Sequence, residues 1–176
     1  LLGRTKNVWG QAGSTGRALA LTIGLNAVDP RFYGGWAGVL QGCEADARAY
    51  TNIATPKFDK VIELFTNRAT ISQVARHILW AAKELTEGDL FLVTYAGHGG
   101  QMPDKSGEES DNKDETWCLY DGQLRDDELY RFWQYFREGV RILVVSDSCH
   151  SGTVARVVEL AAAAAADAPP PQPPEA

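Results

Sequence analysis

The chain has 176 residues, 44% hydrophobic and 23% charged, an ordinary globular composition with length enough for one buried core. No apolar run approaches the ~18 residues of a membrane span, and a net charge of −6 is the wrong sign for nucleic-acid binding. Three cysteines (Cys43, Cys118 and Cys149) with no CxxC pair argue against a disulfide framework or a zinc ribbon, and fit a reducing, cytoplasmic compartment.

In chain order, residues 1–17 are polar and Gly-rich and read as a flexible lead-in. Ala18 to Val28 reads as a first buried strand, followed by a Gly/Pro/aromatic loop from Asp29 to Gly38. Cys43 to Ala54 is an Ala-rich helix and Val61 to Phe65 a short strand. Thr70-Ile71-Ser72-Gln73 fits a capping box. Beyond it Ile71, Val74, Ile78, Leu79, Ala82 and Leu85 recur at helical spacing, with Gly88 where a C-terminal glycine is expected.

Asp89 to Tyr95 is apolar without alternation, as a strand covered on both faces should be. Gly97 to Thr116 reads as one long loop, and Trp117 to Tyr120 as a brief strand. Asp126 to Glu138 is an amphipathic helix with Leu129, Phe132, Trp133 and Phe136 on one stripe; its acids sit at the N-terminal end, favourable for the dipole. Val140 to Val145 is another buried strand, and Gly152 to Leu160 begins a helix. Residues 161–176 form an Ala/Pro-rich low-complexity tail.

Strands alternating with helices predict an α/β fold with a mostly parallel sheet, where ligands bind outside the carboxyl ends of the strands. Two motifs fall at such ends: Tyr95-Ala96-Gly97-His98-Gly99-Gly100 and Asp147-Ser148-Cys149-His150-Ser151-Gly152. A thiol is mostly protonated at neutral pH, and a neighbouring imidazole can take its proton and later give it to a leaving amine. A backbone N–H at Gly99, with that of Cys149, could hold the developing oxyanion. His98 and Cys149 are therefore the candidate catalytic dyad, 51 positions apart. His77, mid-helix, reads as a surface or packing residue and His150 as a pocket group.

The acids are concentrated. Ten lie between Asp104 and Glu128 against three basic residues, so the rest of the chain is about neutral. A solvated acidic loop is one reading, a basic substrate or a cation the other.

YAGHGG with DSCHSG resembles the caspase-like cysteine peptidases, and specifically the metacaspases, over roughly Ala18 to Leu160. Gly42-Cys43-Glu44-Ala45-Asp46-Ala47, Asp114-Glu115-Thr116 with Asp121, and Gln123-Leu124-Arg125-Asp126-Asp127-Glu128-Leu129 resemble further motifs of that family. The resemblance implies a three-layer caspase-like sandwich over 18–160, with Cys149 as nucleophile and His98 as general base and acid. It implies that Asp46 and Asp147 line an S1 pocket for Arg or Lys, which suits the need of a buried guanidinium for a carboxylate. It also implies calcium ligands at Asp114, Asp126 and Asp127, although a further ligand position of the family is held here by the cation Arg156.

A complete fold of this type has two more strands. The exposed edge is expected to be covered by a small-subunit (p10-like) segment, by a second copy of the chain, or by the chain's own ends. The expected function is Arg/Lys-specific cysteine endopeptidase activity on protein or peptide substrates, calcium-activated and self-processing by the resemblance. The alternatives are a catalytically silent caspase-like module acting by binding and, against the GCEADA and DDEL stretches, a legumain-like or separase-like enzyme.

Overall fold

The computed structural model describes residues 16–103 and 113–148. Four parallel strands form the centre: β1 (Ala18–Gly24), β2 (Lys60–Phe65), β3 (Leu90–Ala96) and, last in the described chain, a strand at Arg141–Asp147 that becomes β7 in chain order. Their order is β2-β1-β3-β7, with Ala18 opposite Leu90 and Leu90 opposite Arg141. Helix α1 (Cys43–Ala54) packs on one face; α2 (Ile71–Glu84) lies on the other. The remaining strands, β4 (Gly99–Pro103), β5 (Lys113–Leu119) and β6 (Gly122–Arg125), form a separate antiparallel sheet, and α3 (Asp126–Trp133) follows it. This is the expected α/β sandwich with helices on both faces of a parallel sheet.

Side-chain alternation decides which face receives which helix. Leu19, Leu21 and Ile23 of β1, with Phe91, Val93 and Tyr95 of β3, enter the main core with Val74, Ile78, Ala81, Leu85, Leu129 and Trp133. The intervening residues of β1 are small. Thr22 bonds Thr51 of α1 through their hydroxyls at 2.8 Å. A Cβ on Gly24 would lie 2.4 Å from the Cys43 carbonyl oxygen and 2.8 Å from the Ala47 Cβ. The missing side chain at Gly24 is what lets the start of α1 sit against the carboxyl end of the sheet.

Several expected boundaries shift for local reasons. β1 stops at Gly24, not at Val28, because after Leu25, whose N–H still donates to the Ala96 carbonyl, the amides leave the ladder: Asn26 N–H donates to Thr66 Oγ1 and Val28 N–H to the Ala37 carbonyl. α2 ends at Glu84 with Leu85 already extended, so Gly88, at φ +87°, turns the chain into β3 and is no helix cap. Leu79 is exposed and not on the buried stripe. α3 ends at Trp133 and not at Glu138; Phe136 still reaches the core, stacked on Phe91 with ring centroids 5.4 Å apart. The Gly97–Thr116 stretch contains β4 and the start of β5.

Arg17 is tied down, since its N–H donates to Asp89 Oδ1 at 2.7 Å and its carbonyl accepts from the Leu90 amide at 2.9 Å. The lead-in before Gly16, the helix expected at Gly152 to Leu160 and the tail lie outside the described residues. Among those residues β2 and β7 are the edges of the parallel sheet. β7 is less buried along its length than β1 or β3. No helix among the described residues is long and apolar enough to cross a membrane.

Candidate active site

His98 stands between the end of β3 and the start of β4, above the carboxyl end of the parallel sheet. Its backbone is clamped. The His98 carbonyl accepts from Tyr95 Oη at 2.7 Å and from the Cys118 amide at 2.9 Å, and Gly97 N–H donates to the Asp147 carbonyl at 3.3 Å. Gly97 has a steric reason to be glycine: a Cβ there would meet Tyr95 Oη at 2.7 Å. Tyr95 is itself fixed, stacked on Trp117 with centroids 4.6 Å apart and planes 5° apart. Burial pushes its phenol far above the usual range, so it stays a neutral donor. Trp117 Nε1–H donates to Ser146 Oγ at 3.0 Å, linking the antiparallel sheet back to β7.

The imidazole has two contacts of its own. Nε2 lies 3.1 Å from the Gly38 carbonyl oxygen, and the Trp36 indole lies against the ring, with centroids 4.7 Å apart and planes at 55°. A carbonyl can only accept, so this contact places the proton of a neutral imidazole on Nε2. Nδ1 is then the nitrogen left to exchange a proton. Gly38 is at φ +51°, and a Cβ on it would meet the indole at 2.8 Å. Neither Gly38 nor Trp36 was singled out in the sequence; the signal available was a run of glycines and aromatics just before the GCEADA motif.

The other candidates fall into three groups. Asp46 is exposed in the first turn of α1, beside Gly42, and Asp147 is exposed as the last residue of β7, opposite Ala96. Both stand at the carboxyl end of the sheet, the end that carries His98. Gly99 opens β4 opposite Trp117, while Gly100 is a packing glycine: a Cβ there would lie 2.5 Å from Gln123 Oε1 and 2.9 Å from Thr116 Oγ1.

Asp114 lies in β5, and Asp126 and Asp127 open α3. Among the described residues no group of three His, Cys, Asp or Glu could hold a metal ion. Asp114 is buried in β5 with its Oδ2 3.4 Å from Arg125 Nε, and Asp126 Oδ1 accepts from the Asp127 amide at 3.0 Å, at the start of α3. A calcium ion wants six to eight oxygen ligands, and among the described residues the Arg125 guanidinium lies against one of these carboxylates. Asp121, from the same motif, instead caps α2: its Oδ1 accepts the Ile71 amide at 2.8 Å.

Cys149, His150 and Arg156 lie outside the described residues, which end at Ser148. Of the two described thiols, only Cys118 sits in an environment opposed to what a nucleophile needs. Cys43 opens α1, and Cys118 is buried in β5, where burial pushes its thiol up.

The family model "Metacaspase, peptidase C14 domain" matches residues 18–158. The chain is 34% identical over 154 residues to Metacaspase-1A of Aspergillus clavatus and 35% identical to Metacaspase-1 of Sclerotinia sclerotiorum. In each case 79% of this chain aligns, to 34% of the relative. A crystal structure of a protein from Geobacter sulfurreducens superposes with a TM-score of 0.71 at 56% identity, covering 78% of this chain and 52% of that one. The chain thus spans about a third of the curated relatives it matches.

Proposed function

Because the chain belongs to the metacaspase family of C14 cysteine peptidases, we propose that it cleaves peptide bonds after Arg or Lys, with Cys149 as nucleophile and His98 as its base and acid. The observation that carries this is the fixed imidazole. A catalytic histidine must present one nitrogen to the nucleophile while the other is held, and the Gly38 carbonyl holds Nε2 of His98.

In the proposed reaction Nδ1 of His98 takes the Cys149 proton, and the thiolate adds to the scissile carbonyl. The imidazolium gives that proton to the departing amine, leaving an acyl-enzyme that water hydrolyses with His98 again as base. The Gly38 carbonyl stabilises the imidazolium by accepting from Nε2–H in both states. The amides of Gly99 and Cys149 are the proposed oxyanion donors. Asp46 and Asp147, two exposed carboxylates at the same sheet end, are the proposed partners of a cationic P1 side chain.

No step runs through a metal, and calcium at Asp114, Asp126 and Asp127 would require Arg125 to leave Asp114. Pairing of the β7 edge with a p10-like segment or a second copy is part of the same reading, as is self-cleavage at a Lys or Arg.

Fluorogenic peptides ending in Arg, Lys or Asp test it. Cleavage after Arg and Lys is expected, and His98→Ala should lower kcat/KM by about 10²–10⁴-fold. Preferential cleavage after Asp overturns the S1 assignment. No cleavage, together with a thiol probe that labels Cys149 no faster than Cys43 or Cys118, favours a binding module instead.

A further inference from the structure

We propose that Trp36 is a specificity-determining residue: its half-exposed indole walls the pocket for the substrate side chain that follows the scissile bond, and favours an apolar side chain there. The inference rests on the peptidase reading above and adds a second side of the substrate to it.

The direction comes from the chemistry. The general acid must reach the nitrogen of the leaving amine. The imidazole therefore stands on the leaving-group side of the scissile bond, and the first side chain it meets there belongs to the residue after that bond. The surface laid against the imidazole is the Trp36 indole, 4.7 Å away between centroids. Trp36 keeps 48% of its surface exposed, and Val39, three residues on in the same loop, keeps 76%. An indole is large, apolar and rigid, with little entropy to lose on contact.

The indole is also held in advance. Trp36 N–H donates to the Tyr33 carbonyl at 3.1 Å, and the two rings meet edge-on at 6.1 Å. Tyr33 Oη lies 2.5 Å from the Leu119 carbonyl and 2.7 Å from that of Gly122, so the loop is pinned to the antiparallel sheet. On the other side Val28 N–H donates to the Ala37 carbonyl at 3.0 Å and Leu40 N–H to the Asn26 carbonyl at 2.8 Å. Gly38 lets the indole lie down on its own loop, where a Cβ would collide with it at 2.8 Å. A surface aromatic fixed from both sides and left half-open is pre-organised for a ligand group.

The test uses internally quenched peptides with Arg before the scissile bond and Leu, Phe, Gly or Asp after it. The expected kcat/KM for Leu and Phe exceeds that for Gly by about tenfold, the scale set by an apolar pocket contact. Trp36→Ala should collapse that ratio towards one, and Trp36→Phe should restore most of it. A ratio unchanged by Trp36→Ala, or a wild-type preference for Asp, overturns the proposal.

A second measurement does not need turnover. In the Cys149→Ala protein the indole N–H resonance of Trp36, assigned through Trp36→Phe, should shift more on adding the Arg-Leu peptide than the Arg-Gly peptide. Absence of cleavage in the wild type defeats the peptidase reading, while equal or absent indole shifts defeat the Trp36 assignment.

Discussion

The parallel sheet and the small antiparallel sheet at its carboxyl end share one apolar core and differ in the polar ties added to it. The parallel sheet is an apolar object. Every second residue of β1 and β3 enters one core, and the other face takes small side chains under α1. The antiparallel sheet buries Trp117, Leu119 and Leu124 in that same core, and adds polar ties to it: Tyr95 Oη to the His98 and Cys118 carbonyls, Trp117 to Ser146, Arg125 to Asp114. Apolar burial is strong but indifferent to direction. Hydrogen bonds contribute less each but fix distance and angle. The scaffold is stabilised by the first and the imidazole is aimed by the second.

Four substitutions sharpen or break that contrast, in decreasing order of expected effect on stability. Arg125→Gln should be the most damaging, because it leaves the Asp114 carboxylate buried without its guanidinium; breaking such a pair costs about 3 kcal/mol. The measurement is the urea midpoint, and Arg125→Gln with Asp114→Asn should recover much of the loss. Gly24→Val attacks the scaffold, since its Cβ meets backbone at 2.4 Å, and overpacking of this kind costs about 2–3 kcal/mol. A fall in melting temperature of roughly 2–4 °C per kcal/mol is expected, with the Trp36–His98 contact kept in whatever fraction stays folded.

Tyr95→Phe removes a donor from the buried Cys118 carbonyl and one of two donors from the His98 carbonyl, and should cost about 1 kcal/mol. Its diagnostic result is a loss in kcat/KM larger than the same destabilisation produces when introduced at Gly24. Equal losses would mean that Tyr95 only packs. His77→Gln is the smallest. Burial and the nearby Arg76, Lys60 and Arg68 hold the His77 imidazole below its ordinary 6.5, so the folded state resists the proton that the unfolded chain accepts. Stability should decline as pH falls through about 6.5, and His77→Gln should flatten that part of the slope in pH-dependent melting.

The same contrast explains what could be read from the chain. α1 begins and ends at the expected residues, and β2, β3 and β7 fall within one or two residues of their expected bounds; for β3 the reason is burial on both faces, which leaves an apolar run, and for β2 and β7 the short apolar runs Val61-Ile62 and Ile142 to Val145. β4 and β6 were not foreseen. Gly99-Gly100-Gln101 and Gly122-Gln123-Leu124 carry almost no strand signal of their own and are strands only because β5 lies between them. His98 stood out from its motif, but its partner Gly38 is 60 positions away in a loop, so nothing local announces the contact. The aspartates of the DET and DDEL stretches could be found as a pattern, but not their use: Asp114 pairs with Arg125 and Asp121 caps a helix.

That last contact makes a single proton a gauge of the whole assembly. The Ile71 amide is bonded to Asp121, 50 residues away at the tip of the β5–β6 hairpin, and the Tyr120 amide returns to the Ala69 carbonyl. The first N–H groups of a helix have no partner within it, so the Ile71 amide is shielded from exchange only while the hairpin is docked. Its exchange rate against that of mid-helix amides such as Ile78 would time how often the platform carrying His98 lifts from the sheet while the core beneath stays closed.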